Sequence, residues 1–148
     1  MNLLQAPGET RRVLIADDDS TLRMLLATTL ESYGFTVDSA ENGVEALRLF
    51  SEKRPDFILL DVVMPRMDGF HVCSAVRRMP ERGNVPILML TGLGDLESIS
   101  RAFDVGATDF ATKPISPLVL THRVLYLLKA QDTLDERRRS KELLANAQ

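Results

Sequence analysis

Residues 57–70 read FILLDVVMPRMDGF, and the first four of them decide the fold. The segment FILL at 57–60 is a short, continuous apolar run, which suits a strand buried on both faces of a parallel sheet. Four further strand candidates follow the same logic: VLIA at 13–16, ILML at 87–90, and the weaker FTVDS at 35–39 and TDFA at 108–111. The sequence therefore predicts five strands.

Helical patterns separate these strands. Apolar residues recur at the spacing of one helix face in four segments, which contain Leu22–Tyr33, Val44–Phe50, Val72–Met79 and Leu96–Phe103. Ser20 or Asp19 can cap the first helix, and Gly34 stands where a C-terminal glycine is expected. A last helix starts near Ser116–Pro117 and runs past Leu128. Such alternation predicts a parallel sheet covered by helices on both faces.

Five strand–helix units predict an α/β, doubly wound (βα)5 fold. This number favours the flavodoxin-like strand order 2-1-3-4-5 over the Rossmann order, which has six strands. In open sheets of this kind, ligands bind beyond the carboxyl ends of the strands, at the point between strands 1 and 3. The residues that follow these two strands are therefore the first candidates for a functional site.

Composition narrows the function classes. The chain has 148 residues, enough for one domain, with 18 basic and 21 acidic residues and a net charge of -3. This balance gives no broad positive field for nucleic acid or an anionic membrane, so direct contact with either is not expected. Cys73 is the only cysteine, which excludes an intrachain disulfide. The sequence shows neither a secretory signal nor a membrane-length apolar run, and we expect a cytoplasmic protein.

Polar residues stand at four of the five strand ends. Asp17–Asp19 follow strand 1, Asp61 follows strand 3, Thr91 follows strand 4 and Lys113 follows strand 5. Clustered carboxylates repel one another unless a positive group joins them. A hard divalent cation does so, and oxygen ligands favour Mg²⁺ or Ca²⁺. With the lysine and the hydroxyl added, the set describes a site for a phosphoryl group attached to Asp61.

Each of these residues also has an ordinary structural interpretation. Asp19 suits a helix N-cap better than a metal ligand. A lone aspartate after a strand is usually a turn residue, and a lone lysine is usually solvated. Their joint position at the strand ends of one sheet is what favours a site.

Four segments resemble the receiver domain of bacterial two-component signalling, and in particular chemotaxis regulators: VLIADDDSTLR (13–23), FILLDVVMPRMDGF (57–70), ILMLTG (87–92) and GATDFATKPI (106–115). The resemblance covers about residues 11–130. It implies a phosphorelay switch that binds Mg²⁺ and is phosphorylated by a sensor histidine kinase or a phosphotransfer protein. It also implies a cis peptide bond between Lys113 and Pro114.

The same resemblance assigns a role to each matching residue. Asp61 matches the phosphorylated aspartate, Asp17 and Asp18 match the acidic pair that holds Mg²⁺ together with Asp61, Val63 matches the residue that gives the metal a backbone carbonyl, Lys113 matches the lysine on the phosphoryl group, Thr91 matches the switch hydroxyl, and Phe110 matches the switch aromatic. Phosphorylation is then expected to change the surface formed by helix 4, strand 5 and helix 5.

An enzyme on the same fold is the alternative function. A Mg²⁺-dependent phosphohydrolase could use Asp61 as its nucleophile, but such enzymes usually carry a second aspartate two residues later as general acid. Here that residue is Val63, and the sequence contains no inserted cap domain. The switch is therefore favoured, with catalysis limited to its own phosphorylation and dephosphorylation.

The chain extends beyond a minimal receiver at both ends. Residues 1–10 are expected to form an N-terminal tail, and residues 131–148 a helical extension rich in strong helix formers. Leucines recur every seven residues at Leu120, Leu127 and Leu134, which is too few for a firm coiled-coil assignment. Two interpretations stay open: a charged tail, or a helical connector that leads to an output domain or pairs in a parallel homodimer.

Overall fold

A computed structural model of the chain describes residues 10–92 and 94–147. Most of the expected N-terminal tail, residues 1–9, lies outside this range. The described part contains five strands: β1 (Arg12–Ala16), β2 (Thr36–Ala40), β3 (Phe57–Asp61), β4 (Ile87–Thr91) and β5 (Asp109–Thr112). It contains five helices: α1 (Ser20–Ser32), α2 (Gly43–Lys53), α3 (Gly69–Arg77), α4 (Leu96–Asp104) and α5 (Pro117–Asn146).

The strands form one parallel sheet in the order β2-β1-β3-β4-β5. This confirms the predicted flavodoxin-like fold. The predicted strands 2 and 5 each begin and end one residue early, because both are half-polar strands at the sheet edges and lack a sharp apolar boundary.

Alternating residues of the central strands feed two separate cores. In β3, Ile58 and Leu60 face the side that carries α2, α3 and α4, whereas Phe57 and Leu59 face the side that carries α1 and α5. The same alternation holds in β1 and β4. Burial on both faces explains why these strands are continuous apolar runs.

Local signals fix the helix ends as expected, with Asp19 rather than Ser20 as the cap of α1. The Asp19 carboxylate accepts hydrogen bonds from the backbone N–H groups of Thr21 and Leu22. Gly34 follows the end of α1 with φ +94°, a left-handed conformation that glycine adopts without strain.

Helix α4 exposes much of its apolar surface. Leu96 is 82% and Phe103 49% exposed, Ile99 is partly buried, and Ala102 is the residue of this helix that is fully buried. A small alanine at the contact lets α4 lie close to the sheet while its larger side chains stay outside.

Helix α5 runs without interruption through 30 residues, about 45 Å at the usual rise per residue. Its fully buried residues end at Leu128, its partly buried ones end at Asp135, and residues 136–147 are exposed. This confirms the long C-terminal helix predicted from composition. Within the described ranges, none of the helices combines the length and hydropathy needed to cross a membrane.

Candidate functional site

Three carboxylates meet at the carboxyl edge of the sheet. Asp17 and Asp18 follow β1, Asp61 ends β3, and one oxygen from each lies within 4.8 Å of the other two. Asp17 and Asp61 are buried, at 1% and 5% exposure, whereas Asp18 is open to solvent. The adjacency of β1 and β3 in the sheet brings these residues together, as the strand order predicted.

Backbone contacts hold Asp17 in place. Its N–H donates to the carbonyl of Ala40 at 3.1 Å, and its Oδ1 accepts from the N–H of Asp19 at 2.9 Å. Arg23, one turn into α1, donates from its guanidinium to the Asp17 carbonyl at 2.6 Å. The contact from Arg23 was missed from the sequence, where this arginine reads as an ordinary polar residue of a half-exposed helix.

Lys113 supplies positive charge from the end of β5. Its Nζ lies 3.0 Å from Asp17 Oδ2 and 3.4 Å from Asp61 Oδ2. Its backbone N–H donates to the Thr91 carbonyl at 2.8 Å, and the peptide bond to Pro114 is cis, as predicted. The structure therefore joins the lysine to two of the three predicted acidic residues.

Burial dominates the electrostatics of Asp61. Desolvation, helped by the charge of Asp17, raises the pKa of Asp61 to about 6, although Lys113 acts in the opposite direction. Burial alone would lower the pKa of Lys113, but its hydrogen bond to Asp17 and the charge of Asp61 outweigh this and raise it. Three carboxylates facing one ammonium leave the site short of positive charge.

The donor set fits a hard cation. Asp17 Oδ2 is buried, and the Lys113 ammonium lies 3.0 Å from it. All three side-chain donors are oxygen atoms, which suits Mg²⁺ or Ca²⁺ rather than a softer metal. Val63, two residues beyond Asp61, is 60% exposed.

Thr91 and Phe110 lie on the neighbouring strands. Thr91 ends β4 and is fully buried, and β4 pairs directly with β3. Phe110 of β5 is paired with Met89 of β4. It packs against the core on the α2, α3 and α4 side and is partly buried. The ring of Phe110 is thus already partly inside the protein.

Two glycines beside the site were also missed from the sequence. A Cβ at Gly69 would lie 2.2 Å from the Asp61 carbonyl oxygen. A Cβ at Gly43 would lie 2.2 Å from the Met67 carbonyl oxygen. Each glycine directly follows a helix N-cap residue, Asp68 or Asn42. That position is a weak sequence signal, because glycine there is also compatible with an ordinary helix start.

Comparison with known proteins agrees with this geometry. The family model of the response regulator receiver domain matches residues 13–125. The ycf27 protein of Guillardia theta is 41% identical over 118 residues, which are 80% of this chain and 45% of that protein. The DNA-binding dual master transcriptional regulator RpaA of Synechocystis is 37% identical over 133 residues, 90% of this chain and 55% of that protein. The chain thus spans about half the length of these relatives.

A solved structure is similar to this chain in both fold and sequence. The chemotaxis response regulator CheY4 of Vibrio cholerae superposes with a TM-score of 0.75 at 35% identity. The match covers 81% of this chain and 99% of CheY4.

Proposed function

Because this chain belongs to the response regulator receiver domain family, we propose that Asp61 is its phosphoryl acceptor. Members of this family are phosphorylation-regulated signalling switches of two-component systems, they interact with histidine kinases, and they are generally not enzymes. The observation that carries the proposal is the buried Asp61 carboxylate, which faces two further aspartates and the Lys113 ammonium.

Receiver domains bind Mg²⁺, and in this chain we assign the ion to Asp17, Asp18, Asp61 and the Val63 carbonyl. When bound, the ion neutralises charge on the transferring phosphoryl oxygens. Asp18 is the exposed carboxylate of the cluster, whereas the side chain of Asp19 is occupied in capping α1. Asp18→Ala is therefore expected to abolish measurable Mg²⁺ binding and Asp19→Ala to leave it nearly unchanged. A calorimetric titration with the reverse order would contradict this assignment.

Asp61 and Lys113 are proposed to carry the phosphoryl transfer. At pH 7 and above, Asp61 is largely ionised, since its pKa is about 6, and so it can act as a nucleophile toward phosphorus. The Lys113 ammonium, 3.4 Å from Asp61 Oδ2, is placed to attract the phosphoryl oxygens after transfer. The chemistry of this chain is then confined to its own phosphorylation and dephosphorylation.

Phosphorylation of Asp61 is tested with a pair of aspartates at opposite ends of β3. Incubation with Mg²⁺ and acetyl phosphate should add one phosphoryl group, detected as intact mass. Asp61→Asn should remove this label. Asp56→Asn, at the amino end of the same strand, should keep it, because Asp56 Oδ2 accepts a hydrogen bond from the Arg12 N–H far from the acidic cluster. Labelling that persists in Asp61→Asn would refute the proposal.

Thr91 and Phe110 are proposed to carry the switch to the surface of α4, β5 and α5. A phosphoryl oxygen on Asp61 can accept a hydrogen bond from the Thr91 hydroxyl, and the resulting shift at the end of β4 lets Phe110 turn further into the protein. The apolar side chains that α4 exposes, Leu96 and Phe103, lie on the surface that would change. This is a population shift between two conformations.

Thr112 provides the matched control for Thr91, since the two residues are paired across β4 and β5. Thr91→Ala should still accept the phosphoryl group but should lose most of the phosphorylation-dependent change in hydrogen exchange of α4 and β5. Thr112→Ala should retain that change. An unaltered exchange response in Thr91→Ala would exclude this route.

The extension of α5 is proposed to connect the receiver, residues 11–130, to an output domain or a homodimer partner. The relative RpaA is named as a DNA-binding transcriptional regulator and is about twice as long as the matched segment. The helical residues 131–146 hold exposed leucines at Leu134, Leu143 and Leu144. Comparison of chains 1–130 and 1–148 by circular dichroism and sedimentation should show added helix and, with a phosphoryl mimic, altered self-association. A change in neither would leave the segment as a charged tail.

A further inference from the structure

The turn between β3 and α3, residues 62–68, carries the Val63 carbonyl that the proposed function gives to the metal. Its ends are fixed by a hydrogen bond from the Gly69 N–H to the Val62 carbonyl at 2.8 Å. Inside the turn, the Met67 N–H donates to the Pro65 carbonyl at 2.8 Å, and Arg66 takes a left-handed conformation with φ +71°. Met64 is buried. Because these contacts restrain the turn, we expect a displacement of Met67 to move the Val63 carbonyl as well.

Gly43, the first residue of α2, lies directly against this turn. A Cβ added there would lie 2.2 Å from the Met67 carbonyl oxygen, 2.7 Å from Met67 Cβ and 2.8 Å from Met67 C. All three atoms belong to the main chain or are fixed to it, so no side-chain rotation could relieve the overlap. The two backbones therefore approach as closely as they do only because residue 43 lacks a side chain.

The helix end that carries Gly43 is itself anchored. Asn42 caps α2, is 7% exposed, and accepts a hydrogen bond from the Glu45 N–H at 2.8 Å. Ala46, Leu49 and Phe50 then pack the helix into the core. The start of α2 is thus held both by its cap and by its packing against the core.

We propose that Gly43 is a positioning residue for the metal site, which sets the place of the Val63 carbonyl through its backbone contact with Met67. This assignment rests on the proposed function, because it takes the Val63 carbonyl as a ligand. Gly43 itself binds nothing. It allows the start of α2 to contact the turn at Met67.

If Gly43 positions the Val63 carbonyl, its replacement should affect Mg²⁺ and Ca²⁺ binding differently. Mg²⁺ requires near-octahedral geometry at about 2.0–2.1 Å, whereas Ca²⁺ accepts irregular geometry at about 2.3–2.6 Å. A displaced carbonyl should therefore weaken Mg²⁺ binding much more than Ca²⁺ binding. Loss of stability alone would lower both affinities together, so the ratio of the two affinities separates positioning from a purely structural effect.

The test measures Mg²⁺ and Ca²⁺ affinities of folded Gly43→Ala by amide chemical-shift titration. We expect the Mg²⁺ affinity to fall about tenfold, the scale seen when outer-shell support of a metal site is removed. The Ca²⁺ affinity should change much less, so that the Mg²⁺-to-Ca²⁺ ratio falls.

Two control variants isolate the contact. Gly83→Ala creates a similar overlap, with Cβ 2.5 Å from the Met79 carbonyl oxygen, but it lies before β4 at the opposite edge of the sheet. Met67→Ala shortens the side chain but retains the Cβ and carbonyl that touch Gly43. Both should leave the ratio unchanged. An unchanged ratio in Gly43→Ala, or an equal fall in Gly83→Ala, would overturn the assignment.

A measurement on the unaltered protein covers the case in which Gly43→Ala does not fold. Titration with Mg²⁺ should move the amide signal of Gly43 together with those of Val63 and Met67, and should leave that of Gly83 in place. A Gly43 signal that stays fixed while Val63 moves would refute the positioning role and leave the proposed function intact. A chain that binds no Mg²⁺ would refute the proposed function, and this role with it.

Discussion

At the carboxyl edge of the sheet, where the strands end, the aspartates 17, 18 and 61 face one lysine. At the amino edge, where the strands begin, Arg77 donates hydrogen bonds to backbone carbonyl groups. The Arg77 guanidinium donates to the carbonyl oxygens of Gly83, Val85 and Gly106. Charge at the carboxyl edge is thus left unbalanced, whereas the Arg77 guanidinium at the amino edge is hydrogen-bonded within the protein. A cluster of unbalanced charge costs stability and can attract a ligand, while hydrogen bonds to a partly buried guanidinium offset the cost of its burial. The contrast separates the functional edge of the molecule from its structural edge.

Removal of Lys113 should have the largest effect on function. Lys113→Met deletes the cation beside the phosphoryl group, and phosphorylation by acetyl phosphate should slow by about 10²–10³, the usual loss for one electrostatic group at a reacting centre. Mg²⁺ should nevertheless bind more tightly, because the carboxylates lose their competing ammonium. Lys129→Met, on the exposed face of α5, should match the unaltered chain in both measurements. A phosphorylation rate that is unchanged in Lys113→Met would mean that the charge imbalance at this edge is not functional.

At the amino edge, Arg77→Met should reduce stability without affecting phosphorylation. The change removes four hydrogen bonds that tie α3 to the segments before β4 and β5, three of them to backbone carbonyls and one to the Thr108 hydroxyl. We expect the free energy of unfolding in urea to fall by about 3 kcal/mol. Arg48→Met, which removes only exposed ion pairs to Glu45 and Glu52, should cost less than about 0.5 kcal/mol. Similar losses in the two variants would remove the distinction between a partly buried and a solvated arginine.

Asp61 should destabilise the metal-free protein in a pH-dependent way. Its pKa is about 6 in the folded protein against the ordinary value of 3.8 for an aspartate, so the folded state holds the proton more tightly and stability falls as pH rises from about 4 to above 6. The cost at pH 7.5 is at most about 3 kcal/mol, at 1.36 kcal/mol for each pH unit.

Asp61→Asn should therefore be more stable than the unaltered chain at pH 7.5 without Mg²⁺, and close to it at pH 4. Unfolding in urea across this range provides the measurement, and Asp56→Asn provides the control at the other end of β3. The gain will be smaller than the full cost, because the substitution also removes the ion pair with Lys113. A gain that is absent, or one that does not shrink toward pH 4, would show that burial of this carboxylate carries no cost.

The two edges were not equally accessible from the sequence. The grouping of polar residues at the carboxyl edge could be predicted, because residues such as Asp61 and Thr91 directly follow continuous apolar runs. The strand order then brings them together. The amino edge could not, since Arg77 lies at the end of a helix and its partners are backbone groups that leave no sequence pattern. The contact of Gly43 with Met67 was hidden for the same reason. The exposure of Leu96 and Phe103 in α4 could not be predicted either, because helical periodicity does not say how deeply an apolar stripe is buried.

The smallest effect is expected where the extended helix meets the amino edge. Arg11, just before β1, pairs with Asp132 of α5 at 2.8 Å, and both side chains are partly exposed. An ion pair of this kind contributes little in water, so Asp132→Asn should change the free energy of unfolding by no more than about 0.5 kcal/mol. Its local effect should be larger than its global one, because the pair lies four residues beyond Leu128, the last buried residue of the helix. We expect faster hydrogen exchange from residue 132 onward, which the charge-reversed pair Arg11→Asp with Asp132→Arg should restore. A fall in the free energy of unfolding of more than about 1.5 kcal/mol would instead show that this pair, like the Arg77 hydrogen bonds, stabilises the fold as a whole.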